Sequence, residues 1–332
     1  MLGAWLKIGV IGTTPNSDYT SYIQTAAVLT GHAGTLYPQR ILKPLAPFGV
    51  GLLAPTFGDR GAFLLEVLLC YVGMLVVVYL LAEQFFGEVE YAVCYALLVG
   101  LSYPVLKYGI DLYTETGALF FYIWSLLLSL RFMRRPVWSL VLANTVVIAL
   151  GLLWKEYSVV AAAVFGLLIF LHPDIARHSK ARYLAVLVAG VLCVDVLWQW
   201  YVFVHYHYTY LSWWHAGGAT GFATQLTVHN IAKSVFALLL LAWPFAAVGA
   251  WRARLLEHWQ RVFIVMSLVP ALVVFAWGYV SSRLFFVLAI PLYLLAVVGL
   301  SYLPHRWMRV ACLVGVIATT IVWLFLSYRI VV

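Results

Sequence analysis

Three acidic side chains stand where they could act on a sugar or a phosphate. Asp18 directly follows the first apolar run, and Asp111 and Glu115 lie four residues apart ahead of another run. Residues at that spacing share one face of a helix, so the pair can hold a divalent cation such as Mg²⁺ or Mn²⁺, bind sugar hydroxyls or cap the next helix. Asp18 suits both a helix N-cap and a catalytic carboxylate, and the two roles are compatible.

Basic side chains accompany these acids. Lys155 and Glu156 together interrupt two apolar runs, either as an interfacial lysine that reaches toward water or as a phosphate and hydroxyl contact. Arg40 and Arg283 suit bidentate phosphate binding as well as contact with anionic lipid headgroups, and Lys43 adds a cation beside Arg40. Carboxylates beside cations at a membrane surface suit a reaction on a lipid phosphate.

The composition determines the class of protein that carries these residues. Of 332 residues, 65% are apolar and 10% are charged, whereas a soluble domain has roughly 25% charged residues. We therefore expect a single transmembrane domain over 1–332, with no separate water-soluble domain. Lys and Arg are scattered between apolar runs rather than gathered on one face, which argues against nucleic acid as a partner. The four cysteines lack C-x-x-C spacing and fit small buried hydrophobes.

Apolar runs follow one another along the chain. Ten are candidates for membrane spans, and Leu2–Ile11 adds a shorter eleventh with Lys7 in its middle, like the tail of a helix whose beginning is missing. The ten runs cover residues 61–82, 89–106, 116–132, 137–154, 158–171, 183–204, 234–250, 262–280, 284–303 and 310–328. The sequence predicts an all-α, polytopic transmembrane helix bundle of about 10–11 spans.

Basic charge divides the connecting loops into two sets. If Leu2–Ile11 is the first span, one set holds two or three basic residues in each short loop, namely Arg131/Arg134/Arg135, Arg177/Lys180/Arg182, Arg252/Arg254/Arg261 and Arg306/Arg309. The alternate short loops and the tail hold one each: Lys107, Lys155, Lys233, Arg283 and Arg329. The positive-inside rule places the first set in the cytoplasm and the second outside. The connection that contains Glu83, Glu88 and Glu90 departs from this rule, because it is assigned to the cytoplasmic side but contains no Lys or Arg.

Two outer connections are long, 13–60 and 205–233, and loops of this length are usually functional or disordered. Within the first, Tyr19–Leu29 has apolar residues at helical spacing, which predicts an interfacial helix. Four prolines should then divide the segment into short pieces separated by turns: Pro38, Pro44, Pro47 and Pro55.

The second long loop and the run before it carry further polar residues. Four histidines lie among tyrosines and tryptophans, as in an aromatic belt at the bilayer surface or a metal or sugar site: His205, His207, His215 and His229. Asp195 lies inside the run 183–204 with Gln199 one turn later. This carboxylate fits a proton relay or a hydrogen bond between helices.

The order and sidedness of these residues resemble the GT-C superfamily of membrane glycosyltransferases, of the type that uses polyprenyl-phosphate sugars, such as the dolichyl-phosphate-mannose-dependent and ArnT-like enzymes. The matching features are the acid after the first span, the long outer loop, and the short motifs at the entries to later spans. These motifs are Asp111-Leu-Tyr-Thr-Glu115, Lys155-Glu156 and Ser-Ser-Arg283. The resemblance covers most of the chain.

The resemblance implies a reaction and its participants. Asp18 would be the general base of an inverting transfer, with Arg40, Lys155, Glu156 and Arg283 at the donor phosphate or substrate. The partners would be a polyprenyl-phosphate sugar, a lipid, glycan or protein acceptor, and membrane lipids. The location would be a bacterial or archaeal cell membrane, with the active face outward. A lipid-sugar transporter or flippase and a non-catalytic assembly subunit are the alternatives.

Overall fold

The computed structural model describes residues 2–13, 17–213, 227–277 and 285–329, and within these ranges the regular elements are all helices. The first five are α1 (Leu2–Ala4), which continues as a wider π-helix over Trp5–Ile11, α2 (Ser17–Leu29), α3 (Pro38–Ile41), α4 (Leu45–Phe86) and α5 (Val89–Gly100). Five more follow: α6 (Glu115–Arg134), α7 (Trp138–Trp154), α8 (Ser158–Leu171), α9 (Arg177–Tyr206) and α10 (Tyr210–Trp213). The last are α11 (Val228–Leu239), α12 (Trp243–Arg252), α13 (His258–Ala271), α14 (Phe286–Ser301) and α15 (Arg306–Arg329).

The apolar helices confirm the predicted polytopic bundle. Within the described residues, six helical segments are long and apolar enough to cross a bilayer: Leu45–Phe86, Glu115–Arg134, Arg177–Tyr206, Val228–Leu255, His258–Phe275 and Arg306–Ser327. Five shorter apolar helices are Leu2–Ile11, Val89–Gly100, Trp138–Trp154, Ser158–Leu171 and Phe286–Ser301. Each of the eleven predicted runs therefore has one helical counterpart. The chain is a multi-pass membrane protein.

The N-terminal connection is built from helices that differ from the predicted pieces. Tyr19–Leu29 is helical as expected, and lies within α2. Pro47 and Pro55, however, lie inside α4 instead of separating it into pieces. Pro47 is the third residue of the helix, where a backbone N–H has no partner to lose. The break falls at Gly58, whose φ of 66° and ψ of 163° divide α4 into 45–57 and 59–86.

The centre of the bundle is formed by α6, which is buried along most of its length and packs against α4, α7 and α8. The packing of α2 on α4 includes an edge-to-face contact between Tyr22 and Phe63, whose ring centroids lie 5.8 Å apart. By contrast, α9 is exposed along most of its surface. This arrangement fixes the N-terminal helices on the end of the bundle where α6 begins.

Within its described residues, the C-terminal half contains a broken span and a very close helix crossing. Leu240, with a φ of 47°, separates α11 from α12. The Tyr293 hydroxyl donates to the Leu238 carbonyl at 2.8 Å, so a carbonyl beside the break keeps a partner. Gly249 and Gly299 let α12 and α14 approach until a Cβ at Gly249 would meet the Leu295 carbonyl oxygen at 1.8 Å. Small residues at helix crossings are typical of membrane bundles.

Candidate active site

Among the described residues, four ion pairs gather at the end of the bundle where the connections after α1, α5 and α7 meet. They join Lys7 to Asp111, Lys155 to Glu115, Arg40 to Asp18 and Lys43 to Glu156. We call this end the carboxylate end. The pairs connect residues 22 to 113 positions apart in sequence, so the fold alone brings them together. Two of the pairs are deeply buried and two are partly accessible.

The Lys7–Asp111 pair is the first buried pair. Lys7 Nζ lies 2.8 Å from Asp111 Oδ2, and the side chains are 1% and 9% exposed. Asp111 Oδ1 also accepts from the Leu112 N–H at 2.8 Å. A charge is tolerated inside an apolar bundle when it is paired and hydrogen-bonded. Lys7 in the middle of the short first apolar run is therefore matched by a carboxylate from another connection.

The Lys155–Glu115 pair is the second buried pair, and Glu115 is fully buried. Neighbouring hydrogen bonds fix the start of α6 against α2 and α7. The Trp154 indole donates to the Thr114 carbonyl at 2.9 Å, and Tyr22 and Thr114 share a 3.0 Å hydrogen bond between their hydroxyls. Asp111 and Glu115 are thus bound to different lysines, and a Mg²⁺ or Mn²⁺ ion would have to compete with Lys7 or Lys155 to use them.

The Asp18–Arg40 pair is more accessible, with side chains 26% and 13% exposed. Arg40 donates from Nη2 to the Asp18 carboxylate, from Nε to Ser21 Oγ at 2.8 Å, and from Nη1 to the Tyr22 hydroxyl at 3.2 Å. Its guanidinium also lies 4.2 Å from the centre of the Tyr22 ring. Asp18, Ser21 and Tyr22 are three and four residues apart on α2, so one helix face presents all three to Arg40.

The Lys43–Glu156 pair completes the accessible set, with side chains 16% and 29% exposed. Burial alone would raise the pKa of the Glu156 carboxyl, but the Lys43 ammonium overcomes this effect and holds the pKa below its ordinary value. Lys155 also favours the charged form of Glu156, by a smaller effect than Lys43. Glu156 is therefore ionised at neutral pH, and Lys43 is held beside it.

The structure brings together six of the residues singled out in the sequence: Asp18, Arg40, Asp111, Glu115, Lys155 and Glu156. The seventh, Arg283, lies outside the described residues, as does His215. Lys155 pairs with Glu115 and not with its sequence neighbour Glu156. Among the residues that the structure describes, no three His, Cys, Asp or Glu side chains converge to hold a metal ion.

Some site residues were not recognisable in the sequence alone. Ser21 and Tyr22 are ordinary helix residues, and only their spacing from Asp18 within a predicted helix indicated that they would share its face. Outside the four ion pairs, Glu66 lies in an apolar run and is buried, and its Oε2 has no hydrogen-bond partner among the described residues. A lone acid in a predicted span was the available signal for Glu66.

Comparisons with known proteins found one family model and a similar solved fold. Residues 44–200 match the family model described as dolichyl-phosphate-mannose-protein mannosyltransferase. A search of curated proteins found no match. The fold is similar to the crystal structure of ArnT from Cupriavidus metallidurans bound to undecaprenyl phosphate, with a TM-score of 0.69 and 15% identity over 95% of this chain. The chain spans 60% of the length of that structure. Together the family model and the shared fold confirm the similarity of this chain to the GT-C superfamily of membrane glycosyltransferases.

Proposed function

We propose that the chain is a glycosyltransferase that moves a sugar from a polyprenyl-phosphate donor to an acceptor hydroxyl at the carboxylate end. The observation that carries the proposal is the partly accessible Asp18 carboxylate, which accepts from Arg40, while Ser21 and Tyr22 on the same helix face hold the Arg40 guanidinium in place. The similarity to mannosyltransferases and to an undecaprenyl-phosphate-bound fold supports the donor class.

In the proposed reaction, Asp18 acts as general base. It takes the proton from the acceptor hydroxyl as the hydroxyl oxygen attacks the anomeric carbon. The bond between that carbon and the phosphate oxygen breaks, and the polyprenyl phosphate leaves with the bonding electron pair. Attack from the side opposite the phosphate inverts the anomeric configuration.

The leaving phosphate develops negative charge, which nearby cations stabilise. Arg40 and Lys43 are the accessible candidates, because a phosphate can replace the carboxylate that each of them contacts. Replacement at Arg40 would also release Asp18 to accept a proton. Lys155 and Arg283 are the further cations that we propose for the phosphate, and Glu156 would contact the substrate beside Lys43.

The test is transfer by the purified protein from a panel of radiolabelled polyprenyl-phosphate sugars to crude membrane acceptors. We expect the wild type to label an acceptor and Asp18→Asn to lose about 10²- to 10⁴-fold in rate, the usual contribution of a general base. Asp174→Asn is the matched control, because Asp174 is exposed in the connection between α8 and α9, at the opposite end. Equal rates for wild type and Asp18→Asn would contradict the proposed base.

We further propose that the carboxylate end faces the periplasm or the cell exterior, in a bacterial or archaeal membrane. The support is the distribution of basic residues, which favours the opposite end as cytoplasmic. Single cysteines at the partly accessible positions 18 and 156, in a chain without its four native cysteines, should react with an impermeant maleimide added outside intact cells. Labelling only from the cytoplasmic side would reverse the orientation.

A lipid-sugar transporter is the main alternative, and the break at Leu240 is the feature that favours it. In transporters, a broken helix offers free backbone groups to the substrate near the bilayer midplane. Here the Leu238 carbonyl accepts a hydrogen bond from Tyr293, and the Trp243 indole donates to the Val235 carbonyl at 3.2 Å. The backbone beside this break is thus occupied within the protein, and we prefer the transferase.

A further inference from the structure

One stripe of α9 turns toward the carboxylate end, although most of this helix is exposed. Asp195, Gln199 and Val202 lie at i, i+4 and i+7 and so share a face. Val202 is fully buried against Ile41 and Leu42, which places this face on the segment around α3. The Trp198 indole fixes the contact, because it donates to the Ile41 carbonyl at 2.8 Å.

The charged member of the stripe, Asp195, lies within electrostatic range of Glu156, which is itself paired with Lys43. Both polar atoms of the Gln199 amide are shielded from solvent and make no hydrogen bond of normal length among the described residues, although the amide interacts with the Asp195 carboxylate one turn earlier. Buried amides almost always have partners, because an unmet donor or acceptor costs about 1–3 kcal/mol. The Gln199 amide therefore has hydrogen-bonding capacity left for a ligand, besides its interaction with Asp195.

A further polar side chain, Tyr210, comes from α10 and interacts electrostatically with Glu156 and Asp195. Burial raises the pKa of its phenol, and the negative charges of Glu156 and Asp195 raise it further. The phenol therefore keeps its proton and can donate a hydrogen bond. Tyr210 also packs with the apolar cluster of Ile41, Leu42 and Val202, so the ring is held on the same side of α9.

We infer that Asp195, Gln199, Glu156 and Tyr210 form a subsite for the hydroxyl groups of the sugar on a lipid-phosphate donor. Sugar hydroxyls both donate and accept, and this set supplies two carboxylate acceptors, an amide that does both, and a phenol donor. Two neighbouring carboxylates repel a phosphate, whereas Lys43 beside them attracts one. In a sugar-phosphate donor the phosphate is bonded directly to the sugar. Lys43 would contact the phosphate, and the neighbouring polar side chains would bind the hydroxyl groups of the sugar. The inference rests on the proposed function, because it requires a polyprenyl-phosphate donor.

The test separates sugar recognition from lipid binding. Purified protein in nanodiscs would be titrated with undecaprenyl phosphate and with its mannosyl and glucosyl esters, by native mass spectrometry. We expect the wild type to bind a sugar-bearing lipid more tightly than the bare lipid. Gln199→Leu and Asp195→Asn should each reduce that preference by about tenfold, the effect of one hydrogen bond to a charged or buried group, with bare-lipid affinity unchanged.

Val196→Ala is the control, because Val196 lies next to Asp195 in sequence but is 57% exposed on another face. Gln199→Asn, one methylene shorter, provides a second variant if Gln199→Leu does not fold. The subsite would be overturned if the wild type bound bare and sugar-bearing lipids equally well, or if the variants kept the wild-type preference for the sugar-bearing lipid. It would also be overturned if the variants lost affinity for bare and sugar-bearing lipids to the same extent. If the wild type bound none of the three lipids, the proposed function would fail and the subsite with it.

Discussion

The two ends of the bundle differ in how deeply their ion pairs are buried. At the carboxylate end, Lys7 and Asp111 pair at 2.8 Å almost entirely out of solvent. At the other end, which we call the arginine end, Arg306 contacts Glu90 at 3.4 Å with side chains 78% and 32% exposed. Exposed pairs contribute little to stability and suffice to orient a membrane protein, whereas buried pairs are costly to form. This difference in burial is what the proposed active site at the carboxylate end would require.

The largest expected effect comes from breaking a buried pair. Asp111→Asn removes the carboxylate charge that faces Lys7, and we expect a loss of about 3–5 kcal/mol in the free energy of unfolding. Reversible unfolding in mixed micelles measures it. Lys7→Met/Asp111→Leu removes both charges and should recover most of the loss, since apolar replacements of buried pairs are often neutral. If Asp111→Asn lowered the free energy of unfolding by less than about 1 kcal/mol, the buried pair would contribute no more than an exposed one, and the two ends would not differ in energy.

Arg40→Lys tests whether the partly accessible Asp18–Arg40 pair needs the geometry of an arginine or only its charge. A lysine keeps the charge beside Asp18 but cannot reproduce the three directed contacts to Asp18, Ser21 and Tyr22. We expect sugar transfer to fall by about 10- to 100-fold, as for a misplaced catalytic group, while the protein stays folded. Arg135→Lys, an exposed arginine at the other end, is the matched control and should keep full activity. Equal activity for both variants would deny Arg40 a positioning role.

The Lys43–Glu156 pair predicts a pH dependence. The pKa of Glu156 is lower in the folded protein than in the unfolded chain, so the pair stabilises the fold above the ordinary carboxyl pKa. This stabilisation is lost as pH falls through the lowered value. Lys43→Met should therefore cost roughly 1 kcal/mol at pH 7, and the difference from wild type should shrink below about pH 4.5. A difference that is constant from pH 7 to pH 3 would mean that the pair is not responsible.

The helices of both ends were predictable from hydrophobic runs alone, because each span must be long and apolar. The break at Gly58 was not, since Pro47 and Pro55 are the stronger sequence signals and α4 accommodates both. Likewise, the sequence indicated which charges belong near the carboxylate end but not their partners. Lys155 selects Glu115 over adjacent Glu156 because the start of α6 lies against the end of α7, and this is a property of packing.

The smallest expected effect lies at the arginine end. Glu90 contacts Arg306 and also Arg309, at 3.3 Å, and Arg309 donates to the Tyr91 hydroxyl at 3.2 Å. Because Arg306 is exposed and both Glu90 and Arg309 are partly accessible to water, Glu90→Gln should cost less than about 1 kcal/mol and the cost should fall between 0.1 M and 1 M salt, where the screening length drops from ~10 to ~3 Å. Asp111→Asn should show almost no salt dependence under the same unfolding conditions, since its partner is shielded from solvent. Equal salt dependence for the two variants would mean that the ends differ in position but not in electrostatic character.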